Sequence, residues 1–262
     1  MALSAIPAVI SDMDGVLWRQ DDPLPGFHDF FAGLQRHHIP FVLATNNSSK
    51  SVDDYLHKFK NMGVTLQPEN LMTSALATAH YLKTRYPAGT QVHVLGGNGL
   101  RVAIQDAGFT LSETEAAVVA VGLDWNLTYA KLQQAAYLIQ RGADFVASNT
   151  DATFPTPEGN APGAGSLVAA LMTATQREPV IIGKPHPAMF EAALRQLGAQ
   201  PQDALMIGDR LDTDILGAAQ LGIQTAMVLT GISSEADVAN SPVKPDYVFP
   251  SLADIGAALF AR

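Results

Sequence analysis

Short apolar runs that stop at polar residues recur along this chain, with helical patterns between them. Ala8-Val9-Ile10 leads to Asp12 and Asp14, and Pro40-Phe41-Val42-Leu43-Ala44 leads to Thr45 and Asn46. Val180-Ile181-Ile182 leads to Gly183-Lys184-Pro185, and Ala204-Leu205-Met206-Ile207 to Gly208-Asp209, with Asp214 shortly after. Runs this short and this apolar suit strands covered on both faces. Phe27, Phe30, Phe31 and Leu34 recur at helical spacing, as do Val52, Tyr55, Leu56 and Phe59, and later Phe190, Ala193, Leu194 and Leu197. Ser51 with Asp54 has capping-box spacing, Ser251 can cap the final helix with Asp254, and Gly63 is placed to stop a helix. Alternating strands and helices imply an α/β fold with a doubly wound, Rossmann-like parallel sheet. Such sheets place ligands beyond the carboxyl ends of their strands, which is where the polar clusters fall.

The middle of the chain repeats the alternation. Val92–Leu95, Ala116–Val121 and Ala143–Ala147 read as strands; helices are expected up to Ala107, from Leu132 to Gln140 and around Leu167–Ala174. Pro-containing breaks at Tyr86-Pro87-Ala88-Gly89 and Arg177-Glu178-Pro179 flank this block. The expected organisation is a core in two parts, residues 1–80 and 181–262, with an inserted α/β cap domain over 81–180. Gly96-Gly97-Asn98-Gly99 follows a strand but lacks the Gly-X-Gly-X-X-Gly spacing, so it reads as a turn rather than a dinucleotide site.

Composition narrows the chemistry. Net charge is −9, which argues against a nucleic-acid backbone or an anionic membrane as main partner. A small phosphate ligand stays compatible, because a local cation can invert the field of a site. With no cysteine, disulfides, thiolate catalysis and Cys-based metal centres are excluded. Met1-Ala2-Leu3-Ser4-Ala5-Ile6-Pro7 lacks the basic region of a signal peptide, and no run reaches the roughly 18 apolar residues of a membrane span. The expected location is the cytoplasm.

The polar clusters gather carboxylates, a hydroxyl, amides and an ammonium at what would be one sheet edge. Two carboxylates as close as Asp12 and Asp14 repel, and a site that holds both calls for a cation or a shared proton. Carboxylates suit a hard cation such as Mg²⁺, which also takes phosphate oxygens. Lys184 can offset negative charge, and Thr45 and Asn46 can donate to a phosphoryl oxygen. Each cluster alone has a plainer reading. Asp-X-Asp-Gly is often an acidic turn, a lysine before proline is often solvated, Ser48 or Ser49 can cap a helix, and Asp209 and Asp214 can serve a helix dipole. Trp18 either lines the mouth of the site or packs, Arg210 either reaches substrate or stays in an ion pair, and Asn149 and Asp151 are candidates to face the substrate from the insertion. The four clusters in order favour a site.

In that order they resemble the haloacid dehalogenase-like superfamily. Asp12-Met13-Asp14-Gly15-Val16-Leu17 is similar to its first motif, Ala44-Thr45-Asn46-Asn47 to the second, Gly183-Lys184-Pro185 to the third, and Gly208-Asp209 through Asp214 to the fourth. Asn149-Thr150-Asp151-Ala152-Thr153-Phe154-Pro155, Pro162-Gly163-Ala164-Gly165-Ser166 and Leu229-Thr230-Gly231 resemble the NagD / 4-nitrophenylphosphatase branch. The resemblance implies a Mg²⁺-dependent phosphatase of small phosphorylated metabolites. It makes Asp12 the nucleophile and Asp14 the acid/base. Mg²⁺ is implied on the Asp12 carboxylate, the Asp14 main-chain carbonyl and the Asp209 carboxylate, with Asp214 in support. Thr45, the Asn46 main-chain N–H and Lys184 are implied to hold the phosphoryl oxygens. The cap is a candidate surface for a homodimer. The alternatives are a phosphotransferase or phosphomutase of the same superfamily and a non-turnover phosphoacceptor module like a receiver domain.

Overall fold

The structure is a computed structural model that describes residues 6–156 and 158–261. Residues 1–5, on which the absence of a basic signal-peptide region was read, lie outside the described residues. The chain forms two compact units: one of the described residues of 1–45, 56–72 and 190–262, the other of those of 46–55 and 73–189.

The first unit is built on a six-stranded sheet in the order Tyr247–Phe249, Gln224–Val228, Ala204–Gly208, Ala8–Ser11, Phe41–Thr45, Leu71–Thr73. Ala8–Ser11 is buried at every position, as a run covered on both faces must be. It pairs in parallel with both neighbours, Ser11 standing opposite Ile207 and Leu43. One residue further, Asp12 comes level with Gly208 and Ala44, and its N–H continues the ladder to the Ile207 carbonyl at 2.8 Å. The register therefore brings Asp12, Thr45 and Asp209 out at three adjacent carboxyl ends.

Helix Phe27–Arg36 buries Phe27, Phe30, Phe31 and Leu34, the expected face. The Phe31 ring meets those of Phe41 and Phe59 edge-on, each at 5.7 Å. Each such side chain contributes about 1.5–3 kcal/mol by leaving water. Ser251 caps the last helix by accepting from the Asp254 N–H, as the spacing predicts. The antiparallel pair Trp18–Arg19 and Asp22–Pro23 was not expected, being too short to leave a period-two pattern.

In the second unit a five-stranded sheet runs Val180–Ile181, Asp144–Ala147, Val118–Val121, Gln91–Leu95, Thr110–Leu111, parallel at every pairing. Val119, Val121 and Phe145 pack with Leu138, Ile139, Leu167, Val168 and Leu171 of the flanking helices Tyr129–Gln140 and Ala164–Thr175. Val180–Ile181, read from sequence as a strand of the first sheet, pairs here with Asp144–Ala147 instead. A two-residue apolar strand suits either sheet, and its composition does not name a partner. Helix Ser74–Lys83 also went unread, because it buries small and hydroxyl side chains (Ser74, Ala75, Ala77, Thr78, Ala79) with only Leu82 large.

The Gly96–Gly99 stretch is a packing turn, as its spacing suggests. The Gly99 N–H bonds the Ser49 carbonyl at 3.0 Å, and a Cβ there would stand 2.2 Å from the Lys50 carbonyl oxygen. The cap of helix Val52–Asn61 is Ser51, reciprocally bonded with Asp54, whereas the buried Ser48 hydroxyl meets that of Ser148 at 3.0 Å. Among the described residues no helix is long and apolar enough to cross a membrane.

Candidate active site

In the first unit, Asp12, Asp209 and Asp214 each bring a carboxylate oxygen to within 4.8 Å of the others. Only 8%, 1% and 1% of their surfaces are exposed. Thr45 ends the neighbouring strand and is likewise buried. Were the carboxylates all ionised, each pair would repel by at least about 3.5 kcal/mol at an effective dielectric near 20. Hard, all-oxygen donors at this density fit a divalent cation such as Mg²⁺, which offsets that repulsion.

The neighbouring loops fix these acids. Oδ2 of Asp209 accepts from the Ile232 N–H at 2.7 Å, and its carbonyl accepts from the Ser233 N–H at 3.0 Å. The Ser233 hydroxyl accepts in turn from the Leu211 N–H, and the Thr230 hydroxyl donates to the Gly15 carbonyl at 2.7 Å. Asp214 accepts at Oδ2 from the Asp209 and Arg210 N–H groups, each at 3.2 Å. It thus ties down the turn that carries Asp209, a role beyond a dipole contact. Close backbone approach is obligatory here: a Cβ on Gly231 would stand 1.8 Å from Oδ2 of Asp209. At Gly15, whose φ is +83°, the same oxygen would lie 2.4 Å away.

Asp14 stands apart from this cluster. Its side chain is exposed, and its Oδ1 accepts from the Trp18 indole N–H at 2.8 Å. The carboxylates that gather here are those of Asp12, Asp209 and Asp214. Trp18 is fully buried, so it packs rather than lines a mouth. Arg210 pairs with Asp212 at 3.2 Å, the ion pair that was one of its two readings.

In the second unit, Asn46 grips the main chain of Lys184. Oδ1 accepts from the Lys184 N–H at 2.8 Å, and Nδ2 donates to the Lys184 carbonyl at 3.0 Å and to Oδ1 of Asp151 at 3.1 Å. A side-chain amide here does what a neighbouring strand would do. Lys184 is only 3% exposed, which rules out a solvated surface lysine. Asn149 donates to the Asn46 carbonyl at 2.7 Å and accepts from the Asp151 N–H at 3.1 Å. Asn149 and Asp151, expected to face substrate, thus brace Asn46. Their polar cluster after strand Asp144–Ala147 was the available signal. The Thr230–Ser233 loop left less: Leu229-Thr230-Gly231 stood out only as a family resemblance, with no contact assigned to it.

The chain belongs to the haloacid dehalogenase-like hydrolases: family models described as "Haloacid dehalogenase-like hydrolase" and "HAD-hyrolase-like" match residues 9–110 and 181–255. It is 37% identical to a dihydroxyacetone phosphatase of Corynebacterium glutamicum, over 94% of this chain and 89% of that protein. An acid sugar phosphatase of Staphylococcus haemolyticus is also 37% identical, over 92% of each chain. The crystal structure of 4-nitrophenylphosphatase from Thermotoga maritima superposes with a TM-score of 0.94 at 34% identity, over 98% of both chains. A glycerol phosphate phosphatase from Mycobacterium tuberculosis, solved in complex with magnesium, gives 0.88 at 32% identity, over 97% of this chain and 78% of that one.

The contact between Gly231 and Asp209 yields a prediction. Gly231→Ala displaces the Asp209 carboxylate and weakens Mg²⁺ binding by about tenfold or more in a calorimetric titration. Unchanged affinity in a folded variant contradicts the assignment of Asp209 to the cation site.

Proposed function

We propose that this protein is a Mg²⁺-dependent phosphatase that hydrolyses small phosphorylated sugars through an aspartyl-phosphate on Asp12. One observation carries the reading: three buried carboxylates converge on one spot of a family fold, with Asp12 at the end of its central strand. Dihydroxyacetone phosphatase and acid sugar phosphatase among the relatives support the substrate class, and support turnover over a stable phosphoacceptor.

Asp12 attacks phosphorus, its oxygen bonding to phosphorus as the ester bond breaks. Asp14 gives its proton to the departing sugar oxygen. It then takes a proton from the water that attacks phosphorus and breaks the bond to Asp12, releasing phosphate. Thr45, the Asn46 main-chain N–H and Lys184 hold the phosphoryl oxygens, and Asn46 and its neighbours keep Lys184 in place. Asp12, Asp209 and the Asp14 main-chain carbonyl are the ligands assigned to Mg²⁺, with Asp214 in support. When bound, the ion neutralises charge on carboxylates and phosphate. Phosphoryl transfer depends chiefly on such positioning and charge compensation.

Two outcomes test this reading. Asp12→Asn lowers kcat on dihydroxyacetone phosphate by about a thousandfold or more, under conditions where the asparagine does not deamidate; near-full activity contradicts the nucleophile. Protein stripped with EDTA loses most of its hydrolysis of 4-nitrophenyl phosphate and regains it with Mg²⁺. Equal rates with and without the ion contradict the metal assignment.

A further inference from the structure

The reaction asks Asp14 to exchange protons from a defined position, yet its side chain is exposed. An exposed carboxylate on a turn has several rotamers open to it. One contact restricts this one: the bond from the Trp18 indole to Oδ1 at 2.8 Å. The indole itself is held firmly. Trp18 has no exposed surface, and its ring meets that of Phe59 edge-on at 4.9 Å. The Lys58 ammonium lies 4.3 Å from the ring centroid. Lys58 is anchored in turn by the Gln20 carbonyl at 2.6 Å and by Asp21 at 3.1 Å. The backbone sets the geometry as well. Leu17 and Trp18 N–H groups fold back to the Met13 carbonyl, and the Gly15 N–H bonds the Trp18 carbonyl at 2.8 Å. This turn presents the indole N–H to the carboxylate four residues earlier.

We propose that Trp18 is a positioning residue for Asp14: its buried indole N–H holds Oδ1 and leaves Oδ2 to exchange the proton. This rests on the acid/base role given to Asp14 above. An indole suits the task because it donates a hydrogen bond and cannot accept one. It orients the carboxylate without competing for the proton in transit. The aromatic packing and the cation over the ring lend it the rigidity that an exposed acid lacks.

The test uses two substrates with different needs. A sugar phosphate leaves as an alkoxide and requires a proton from Asp14; 4-nitrophenolate leaves without one. Trp18→Phe keeps a ring in the core and removes the N–H. The expected result is a loss of about 10- to 100-fold in kcat/KM on dihydroxyacetone phosphate, and a clearly smaller loss on 4-nitrophenyl phosphate. In the Asp14→Ala background the same substitution adds no further loss on the sugar phosphate. Equal losses on both substrates, no loss, or a full further loss in the double variant would overturn the proposal. If the Phe ring underfills the core, the benzothiophene analogue of tryptophan at position 18 removes the N–H at nearly constant volume, and the same outcomes apply. Asp14→Asn separates this proposal from the reading beneath it. Wild-type activity in that variant on dihydroxyacetone phosphate removes the acid/base role itself. An inactive Asp14→Asn beside an unaffected Trp18→Phe removes only the part given to Trp18.

Discussion

Three carboxylates in one buried spot are the constraint around which the first unit is organised. Asp12, Asp209 and Asp214 are almost wholly buried, and if all were ionised they would repel more strongly than any single hydrogen bond can offset. The fold keeps them in place by backbone means. The parallel register aligns the strand ends, the Ile232 N–H bonds Asp209, and Asp214 bonds the turn that carries Asp209. Glycines at 15, 208 and 231 leave room that a Cβ would take. Ionised, such a cluster is unfavourable without a cation, which is the physical ground for proposing one there.

A second principle recurs in both units: the groups proposed to hold phosphate or carry protons are themselves fixed by neighbouring side chains. Asn46 holds Lys184 by its main chain, and Asn149 and Asp151 hold Asn46. Trp18 holds Asp14, and Phe59 and Lys58 hold Trp18. Rigid placement of this kind is what phosphoryl transfer rewards, because little of its barrier lies in covalent rearrangement that the protein itself must drive.

Asp12 and Asp209 were legible in the sequence because each follows an apolar run that reveals its strand, whereas Asp214 lies on the helical turn beyond. Ser51–Asp54 and Ser251–Asp254 were legible for a similar reason, since a capping box is local. What escaped depends on partners distant in the chain. Nothing near Asn46 says that its amide meets a residue 138 positions later. Nothing in Val180–Ile181 says which sheet it joins. The reading of Ser48 or Ser49 as a helix cap missed for the same reason in Ser48, whose partner Ser148 lies 100 positions on. Trp18 was ambiguous because a large aromatic beside a motif suits either a mouth or a core, and burial alone decides it.

The most direct test is to identify the covalent intermediate. Protein mixed with Mg²⁺ and dihydroxyacetone phosphate, quenched in acid within milliseconds and digested, is predicted to give one phosphorylated peptide, with the phosphoryl group on Asp12. That peptide should vanish on a longer chase without substrate. A phosphoryl group on any other residue, or rapid turnover with no phosphopeptide at any quench time, would contradict the account.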